Sequence, residues 1–362
     1  MKWKSALCAA ALLCGCPAAA PDDGRAPQPV SAEEHRATIE ALRPSVARAR
    51  PLVAIATARS GTETTDLLVP YGVLRRSNAM DVVIVAESLA PLDLMPALRV
   101  HPQQTYEAFG RAHEAGADYV IVPAMMDASD RAAQRFIAEQ RQRGARIVGI
   151  CSGARVLAAA GLLDGRRATA HWADVLELQH AHPTMSWVRD RRYVVDREVM
   201  TTTGVSASVP ASLAMIEAIA GAAVAQRVAD ELGARSWLES HDSDAFRLDS
   251  SDLSLAAGNI LSPWNKERIA IAVTDGVDEV SLALEADAWS RTYRSRGAAT
   301  TPDGRTITTL GGLAIDTEIA ASAQRSAPTA GALALDSALD AIEARYSAAT
   351  ARFVAMQLEY AR

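Results

Sequence analysis

The architecture this sequence predicts is a doubly wound parallel α/β sheet carrying a nucleophile elbow, followed by a shortened second α/β unit. Three observations point to it. Short apolar runs alternate with segments of helical spacing, a Gly149-Ile150-Cys151-Ser152-Gly153 pentapeptide falls between a strand and a helix, and the opening strand-helix pattern restarts near residue 268.

The elements follow in order. Pro51 to Thr57 (PLVAIAT) is an apolar run of strand length, and Thr64 to Ser77 spaces Leu67, Leu68, Val73 and Leu74 as a helix does. Asp81 to Ala86, Asp118 to Val122 and Arg146 to Ile150 are further strands, with a helix over Asp130 to Arg143. Runs this short, alternating with helices, belong to a parallel sheet covered on both faces. Gly153 to Gly161 is a helix that stops at a glycine. Tyr193 to Val195 and Val199 to Thr203 form a strand pair, and an Ala-rich helix runs from Pro210 to about Leu232. These elements make one domain over 48–235, preceded by a tether and leading helix over 21–47. The polar clusters of 236–264 read as a linker.

After the linker, Arg268 to Val273 (RIAIAV) resembles Leu52 to Thr57 (LVAIAT), and Val280 to Arg291 can be laid over Thr65 to Arg76 with one residue fewer in the turn. Ser281 then stands where Asp66 stands in the first copy, and no Cys is present. Residues 265–362 therefore read as a degenerate partial repeat, with a strand-like Thr306 to Leu310 and a single long helix from Ala334 to Tyr360. The alternative is two unrelated units sharing a common βα pattern.

With 49% hydrophobic and 22% charged residues the chain has the composition of a folded protein, and a formal net charge of −6 gives no basis for nucleic acid as a partner. The single C-terminal helix also falls short of a helix-turn-helix. Residues 1–20 have the make-up of an export signal: Lys2 and Lys4, an apolar run from Ala6 to Leu13, then small residues. Leu13-Cys14-Gly15-Cys16 resembles a bacterial lipoprotein signal, which makes Cys16 the lipidated residue and the protein periplasmic and lipid-anchored. A plain secretory signal cut after Ala20 is the alternative. Either way Cys151 is left as the one thiol, unpaired in an oxidising compartment.

The pentapeptide is where the chemistry concentrates. A G-x-nucleophile-x-G turn between strand and helix projects its central side chain above the carboxyl edge of the sheet, where open α/β sheets bind ligands. A thiol at the first turn of a helix also feels the positive end of the helix dipole, so the expectation is an accessible thiol of lowered pKa. The competing expectation is a buried, inert Cys. His180 and His182 lack a second ligand pair of suitable spacing, so neither a metal nor a cofactor is expected.

Residues 151–172 (CSGARVLAAAGLLDGRRATAHW) closely resemble the DJ-1/PfpI superfamily, in particular its isonitrile-hydratase-like branch and the ligand-side domains of AraC-type regulators. The resemblance extends to 191–221 and, less sharply, to 51–125, about half the chain. It implies a flavodoxin-like fold of the class I glutamine amidotransferase type and a homodimer. It also implies a site in which Cys151 works beside His171, twenty residues downstream, and beside an acid on the first helix, matched here by Asp66. In those roles Cys151 attacks an electrophilic carbon, His171 handles a proton, and Asp66 supplies a carboxylic acid. Glu63 competes for the acid role, and Ser152 is an added donor. Where the family has Pro-Gly-Gly after its third strand, this chain has Pro123-Ala124-Met125, so Ala124, Met125, Ser152 and Gly153 shape the oxyanion pocket.

The function expected from these residues is an exported, cysteine-dependent hydratase, hydrolase or lyase acting on a small electrophilic molecule. A non-catalytic ligand-binding or thiol-redox-sensing module related to regulator domains is the alternative.

Overall fold

A computed structural model describes residues 27–361 apart from 46, 47, 263, 265, 321–323 and 326–330. The expected signal over 1–20, with Cys16, lies outside the described residues. Helix α1 (Ala32–Leu42) is capped by Ser31 and precedes strand β1 (Leu52–Ala56), all of whose residues are buried. Then come α2 (Thr64–Ser77), β2 (Asp81–Ala86), β3 (Gln104–Thr105), α3 (Tyr106–Ala112), β4 (Tyr119–Val122), α4 (Arg131–Gln142), β5 (Arg146–Gly149) and α5 (Gly153–Ala159). The first half closes with α6 (Val175–Ala181), β6 (Tyr193–Asp196), β7 (Val199–Thr202), α7 (Ser208–Ala220) and α8 (Ala222–Leu232).

The main sheet has the order β6-β7-β5-β4-β1-β2-β3, parallel except for the β6/β7 hairpin. Parallel pairing demands crossovers, and the helices supply them on both faces, so β1 and β4 show no polar side to water. Helix α4 shows the principle from the outer side. Asp130 caps it by accepting from Ala132 N and Ala133 N, and Ala133, Phe136, Ile137 and Gln140 turn inward at helical spacing. The Ala-rich stretch expected as one helix is two, because Gly221 takes a φ of 88° and turns the chain between α7 and α8.

The segment expected as a linker contains α9 (Ser250–Ile260). Its Asp249-Ser250-Ser251-Asp252 start forms a reciprocal capping box. Residues read as irregular polar clusters are therefore the cap of a helix.

Beyond it lie β8 (Glu267–Ala272), α10 (Glu279–Ser290), β9 (Ser295–Thr301), β10 (Glu318–Ile319), β11 (Gln324–Arg325), α11 (Leu333–Arg345) and α12 (Ala348–Gln357). A second parallel sheet has the order β10-β9-β8-β11. Strand β9 escaped the sequence reading because SRGAATT has no bulky apolar side chain. The reason is packing: a Cβ on Gly297 would stand 2.6 Å from the Ala286 backbone, so only small residues let α10 approach. Ile307–Thr308, the core of the expected strand, instead pairs with Ala314–Ile315, and that hairpin joins Val100 of the first half. The long C-terminal helix is two, α11 and α12, separated at Tyr346 and Ser347, with Ser347 capping the second. Both pack inward: Ala334, Leu335, Ala338, Leu339 and Ile342 of α11 and Ala351 and Phe353 to Gln357 of α12 are buried.

Every residue of α10 is buried, as expected of a helix enclosed on all sides. It packs against α2, α11 and β9. Helix α2 is in turn packed against α7 and α10, and this seam carries the candidate site.

Candidate active site

Strand β5 ends at Gly149, and the chain reverses over Cys151 into α5. Cys151 has a φ of 55°, the left-handed conformation that few non-glycine residues adopt without compensating contacts. The contacts are specific. Ile150 N donates to Val122 O at 3.0 Å, Gly153 N to Ile150 O at 2.7 Å, and Cys151 N to Thr202 Oγ1 at 3.0 Å. The turn is pressed against β4 so closely that a Cβ on Gly153 would lie 2.0 Å from Val122 O. The second glycine of the motif is thus a steric requirement, and the elbow expected from the sequence is present.

The thiol's environment differs from the expectation. Cys151 retains only 6% of its surface, and burial pushes its pKa well above the ordinary thiol value, reinforced by Asp66, Glu63, Asp174 and Glu359. A short helix of seven residues offers little dipole to set against four carboxyl groups. The expected accessible thiol of lowered pKa is replaced by a buried thiol that holds its proton.

Asp66 is fully buried in the first turn of α2. Its Oδ2 accepts from Ala124 N at 3.0 Å, while Oδ1 has no hydrogen-bond partner. Burial, then the charge of Glu63, raise this carboxyl well above the usual carboxylate range, which favours its protonated form. Ala124 is consequently not a free oxyanion donor: its N–H anchors the acid. Met125 is buried in the neighbouring core cluster with Val122 and Ala133.

Glu63, the competing acid, is the N-cap of α2. It accepts from Asp66 N at 2.6 Å and Thr65 Oγ1 at 2.8 Å, and pairs with Arg291 Nη2 at 2.8 Å. With three donors around it, Glu63 holds the turn and leaves the proton-bearing position to Asp66. Arg291 also binds Asp287 Oδ2 at 2.8 Å; Asp287 is fully buried, and burial raises it to about 7 against the opposing pull of Arg291.

His171 is not hydrogen-bonded to the thiol. Its Nδ1 accepts from Ala173 N at 3.3 Å, which fixes the proton on Nε2, and Nε2 faces Gln357 O at 3.1 Å. Both ring nitrogens are engaged, Nδ1 by its own loop and Nε2 by the end of α12. Around them Glu359 accepts from Trp172 N at 2.6 Å and pairs with His241 at 3.3 Å. Ser152 Oγ lies 4.0 Å from Cys151 Sγ. The structure thus unites Cys151, Ser152, Gly153, Asp66, Ala124 and Glu63, and engages His171 elsewhere.

Sequence reading missed Arg291, Asp287, Asp174, Glu359 and Thr202. Asp174 and Thr202 fell inside resembling segments and could have been found as polar residues after the motif. Arg291 and Glu359 are far along the chain, and only the matched positions of the repeat offered a signal for Arg291.

Among the described residues, no group of three His, Cys, Asp or Glu is placed to hold a metal, and no helix is long and apolar enough to cross a membrane.

The profile of the DJ-1/PfpI family matches residues 35–218, just over half of the chain. Isonitrile hydratase of Pseudomonas putida is 32% identical over 171 residues, which cover 45% of this chain and 70% of that protein. HTH-type transcriptional regulator GlxA of Rhizobium meliloti is 45% identical over 87 residues, 24% of this chain and 26% of the regulator, so the chain spans about a quarter of that relative's length. A crystal structure of a DJ-1 superfamily protein from Salmonella typhimurium aligns over 51% of this chain and 99% of its own, with 24% identity and a TM-score of 0.45.

Proposed function

This chain belongs to the DJ-1/PfpI family, and on that premise we propose that it is a cysteine-dependent enzyme of the hydratase type acting on a small electrophilic molecule, with Cys151 as nucleophile and Asp66 as acid. One observation carries the reading: a buried carboxyl, anchored through Oδ2 and unpartnered at Oδ1, acts electrostatically on a thiol held on a strained elbow. A core carboxyl with an unused oxygen costs stability, and such costs concentrate at functional sites.

The step balances without a resting thiolate. Sγ forms a bond to the electrophilic carbon as one π bond of the substrate opens, and its electron pair takes the proton of Asp66. The carboxylate so formed receives the thiol proton. Water then adds to the same carbon, the C–S bond breaks, and sulfur recovers its proton. The net change is addition of water, the type of reaction the Pseudomonas putida relative is named for.

The regulator relatives favour a second reading, a ligand-binding module without turnover, and the engagement of both His171 nitrogens agrees with it. Purified protein, Cys151→Ser and Asp66→Asn are incubated with small isonitriles, and formamide release is followed. Turnover lost by a factor of about 10³ or more in Cys151→Ser supports the enzyme. No turnover on isonitriles, nitriles or carbonyl electrophiles, with ligand binding retained in Cys151→Ser, decides for the module.

Export belongs to the same proposal and rests on sequence pattern alone: residues 1–20 as a signal, Cys16 as the lipidated residue, the periplasm as the compartment. Labelled palmitate entering the wild type and Cys16→Ser equally would reject the anchor.

A further inference from the structure

Helices α2 and α10 pack against each other, and their contacts are reciprocal. Overlaying Val280–Arg291 on Thr65–Arg76 matches Asp278 with Glu63, the two helix N-caps, and Arg291 with Arg76, near the two C-termini. Across the seam Arg291 Nη2 pairs with Glu63 Oε1 at 2.8 Å, and Arg76 Nη2 with Asp278 Oδ1 at 2.6 Å. Residue i of one copy meets residue j of the other, and the match of j meets the match of i: this is the signature of an isologous, two-fold interface, built here inside one chain. The surroundings agree. Strand β1 pairs in parallel with β2, the next strand after α2; β8 pairs in parallel with β9, the next after α10.

The symmetry is not complete: Asp287, the second partner of Arg291, falls opposite Gly72, and the third residues of the two helices also differ. The third residue of α2 is Asp66, fully buried with a free Oδ1; the third residue of α10 is Ser281, whose hydroxyl donates to Asp278 Oδ2 and accepts from Gly331 N at 2.7 Å. Arg291 therefore faces a thiol and an unsatisfied acid, whereas Arg76 faces a closed cap.

We infer that the second unit acts as a covalently attached partner whose Arg291 is a positioning residue for Cys151 and Asp66, holding Glu63 and Asp287 and supplying positive charge to the reacting pair. The groups that face this pair are Glu63 at the start of α2, Asp287 and Arg291 on α10, Asp174 ahead of α6 and Glu359 after α12. Arg291 is the one cation that acts directly on both Asp66 and Cys151 among those contributions. His171 and Arg155 act on Asp174, and His171 and His241 on Glu359, which places their influence one residue further away.

This inference rests on Cys151 being the reactive centre, and the mirror pair provides its control. Iodoacetamide labelling of Cys151 in the full chain is measured against pH for wild type, Arg291→Met and Arg76→Met. Both substitutions remove one arm of a matched ion pair; Arg291→Met also strips buried Asp287 of its partner, so urea unfolding of each variant is measured alongside to keep its structural cost apart from the labelling midpoint. Arg291→Met is expected to raise the labelling midpoint by about one pH unit, about ten-fold slower labelling at a fixed pH on the rising limb, because thiolate formation loses its cation. Arg76→Met leaves the midpoint in place. If Arg291→Met does not fold, Arg291→Gln removes the charge while keeping a donor for Glu63 and is expected to shift the midpoint the same way. Superimposed profiles for the Arg291 and Arg76 variants overturn the inference alone. A wild type inert to labelling at every pH overturns the proposed function, and the inference with it.

Discussion

Asp66 and Ser281 occupy the same turn of two helices that face each other, and they have opposite fates. Ser281 is satisfied on both sides and closes its cap. Asp66 is satisfied on one oxygen, left open on the other, and pushed by burial toward its protonated form. The strand-helix-strand scaffold around them is alike, so scaffold does not separate a working site from a structural joint. The difference lies in one polar group left unpaired and in the elbow that supplies it with a thiol.

The sharpest way to break that contrast is to exchange its poles. Asp66→Asn removes the transferable proton and is expected to lower turnover about 10²–10⁴-fold, while also lowering the pH at which Cys151 is alkylated, since the Asp66 charge is among those that hold the thiol protonated. Ser281→Ala is expected to cost about 1 kcal/mol in urea unfolding, with turnover unchanged, because Gly331 N keeps its bond to Asp278 Oδ2 at 3.2 Å. Equal loss of turnover in both variants would erase the distinction.

A smaller effect is expected where the helices touch. A Cβ on Gly72 would lie 2.6 Å from Val280 Cγ2 and 2.7 Å from Glu279 Oε1. Overpacking of this kind costs about 1–3 kcal/mol, against about 1 kcal/mol gained in helix propensity. Gly72→Ala should therefore lower unfolding stability by up to about 2 kcal/mol. The labelling midpoint of Cys151 should rise alongside, as Arg291 is pushed from Glu63. Stability lost with an unmoved thiol profile would show that the seam carries load but no coupling.

The smallest effect belongs to neither helix and has to be subtracted from pH profiles. His35 of α1 lies between Glu239 at 3.0 Å and Glu217 at 3.3 Å. The hydrogen bond to Glu239 raises His35 above its ordinary value of 6.5, and the same bond lowers Glu239 below its ordinary 4.5 against the cost of burial. The His35 contribution is complete below pH 6.5 and is lost as pH rises through the raised folded value; that of Glu239 is complete above pH 4.5 and is lost as pH falls through the lowered one. Amide exchange in α1 should be slowest between about pH 4.5 and 6.5, after correction for intrinsic rates, and should quicken on both sides. A flat profile would remove this pairing from the account.

Much of this was legible in the sequence for physical reasons that can be named. Apolar runs such as LVAIA and YVIV report burial on both faces, so the parallel sheet is visible before any coordinates. The elbow is visible because Gly153 is required by contact with Val122 O. Strand β9 was hidden because close helix packing selects small residues, which look like loop. Helix α9 was hidden because its cap is spelled in the residues that also spell turns. The thiol's ionisation was misjudged because the helix end is written locally, whereas the opposing carboxyl groups arrive from residues 63 to 359. The engagement of His171 by Gln357 O had no local trace either.

The Arg291–Glu63 pair joins two halves of a single polypeptide, and this has a consequence for working conditions. An interface assembled from separate subunits comes apart on dilution, and any side chain lent across it leaves with the lender. Here the lender is tethered, so its effective concentration is set by the connecting chain and not by the amount of protein in solution. Activity per molecule should then stay constant down to the lowest concentrations at which it can be assayed.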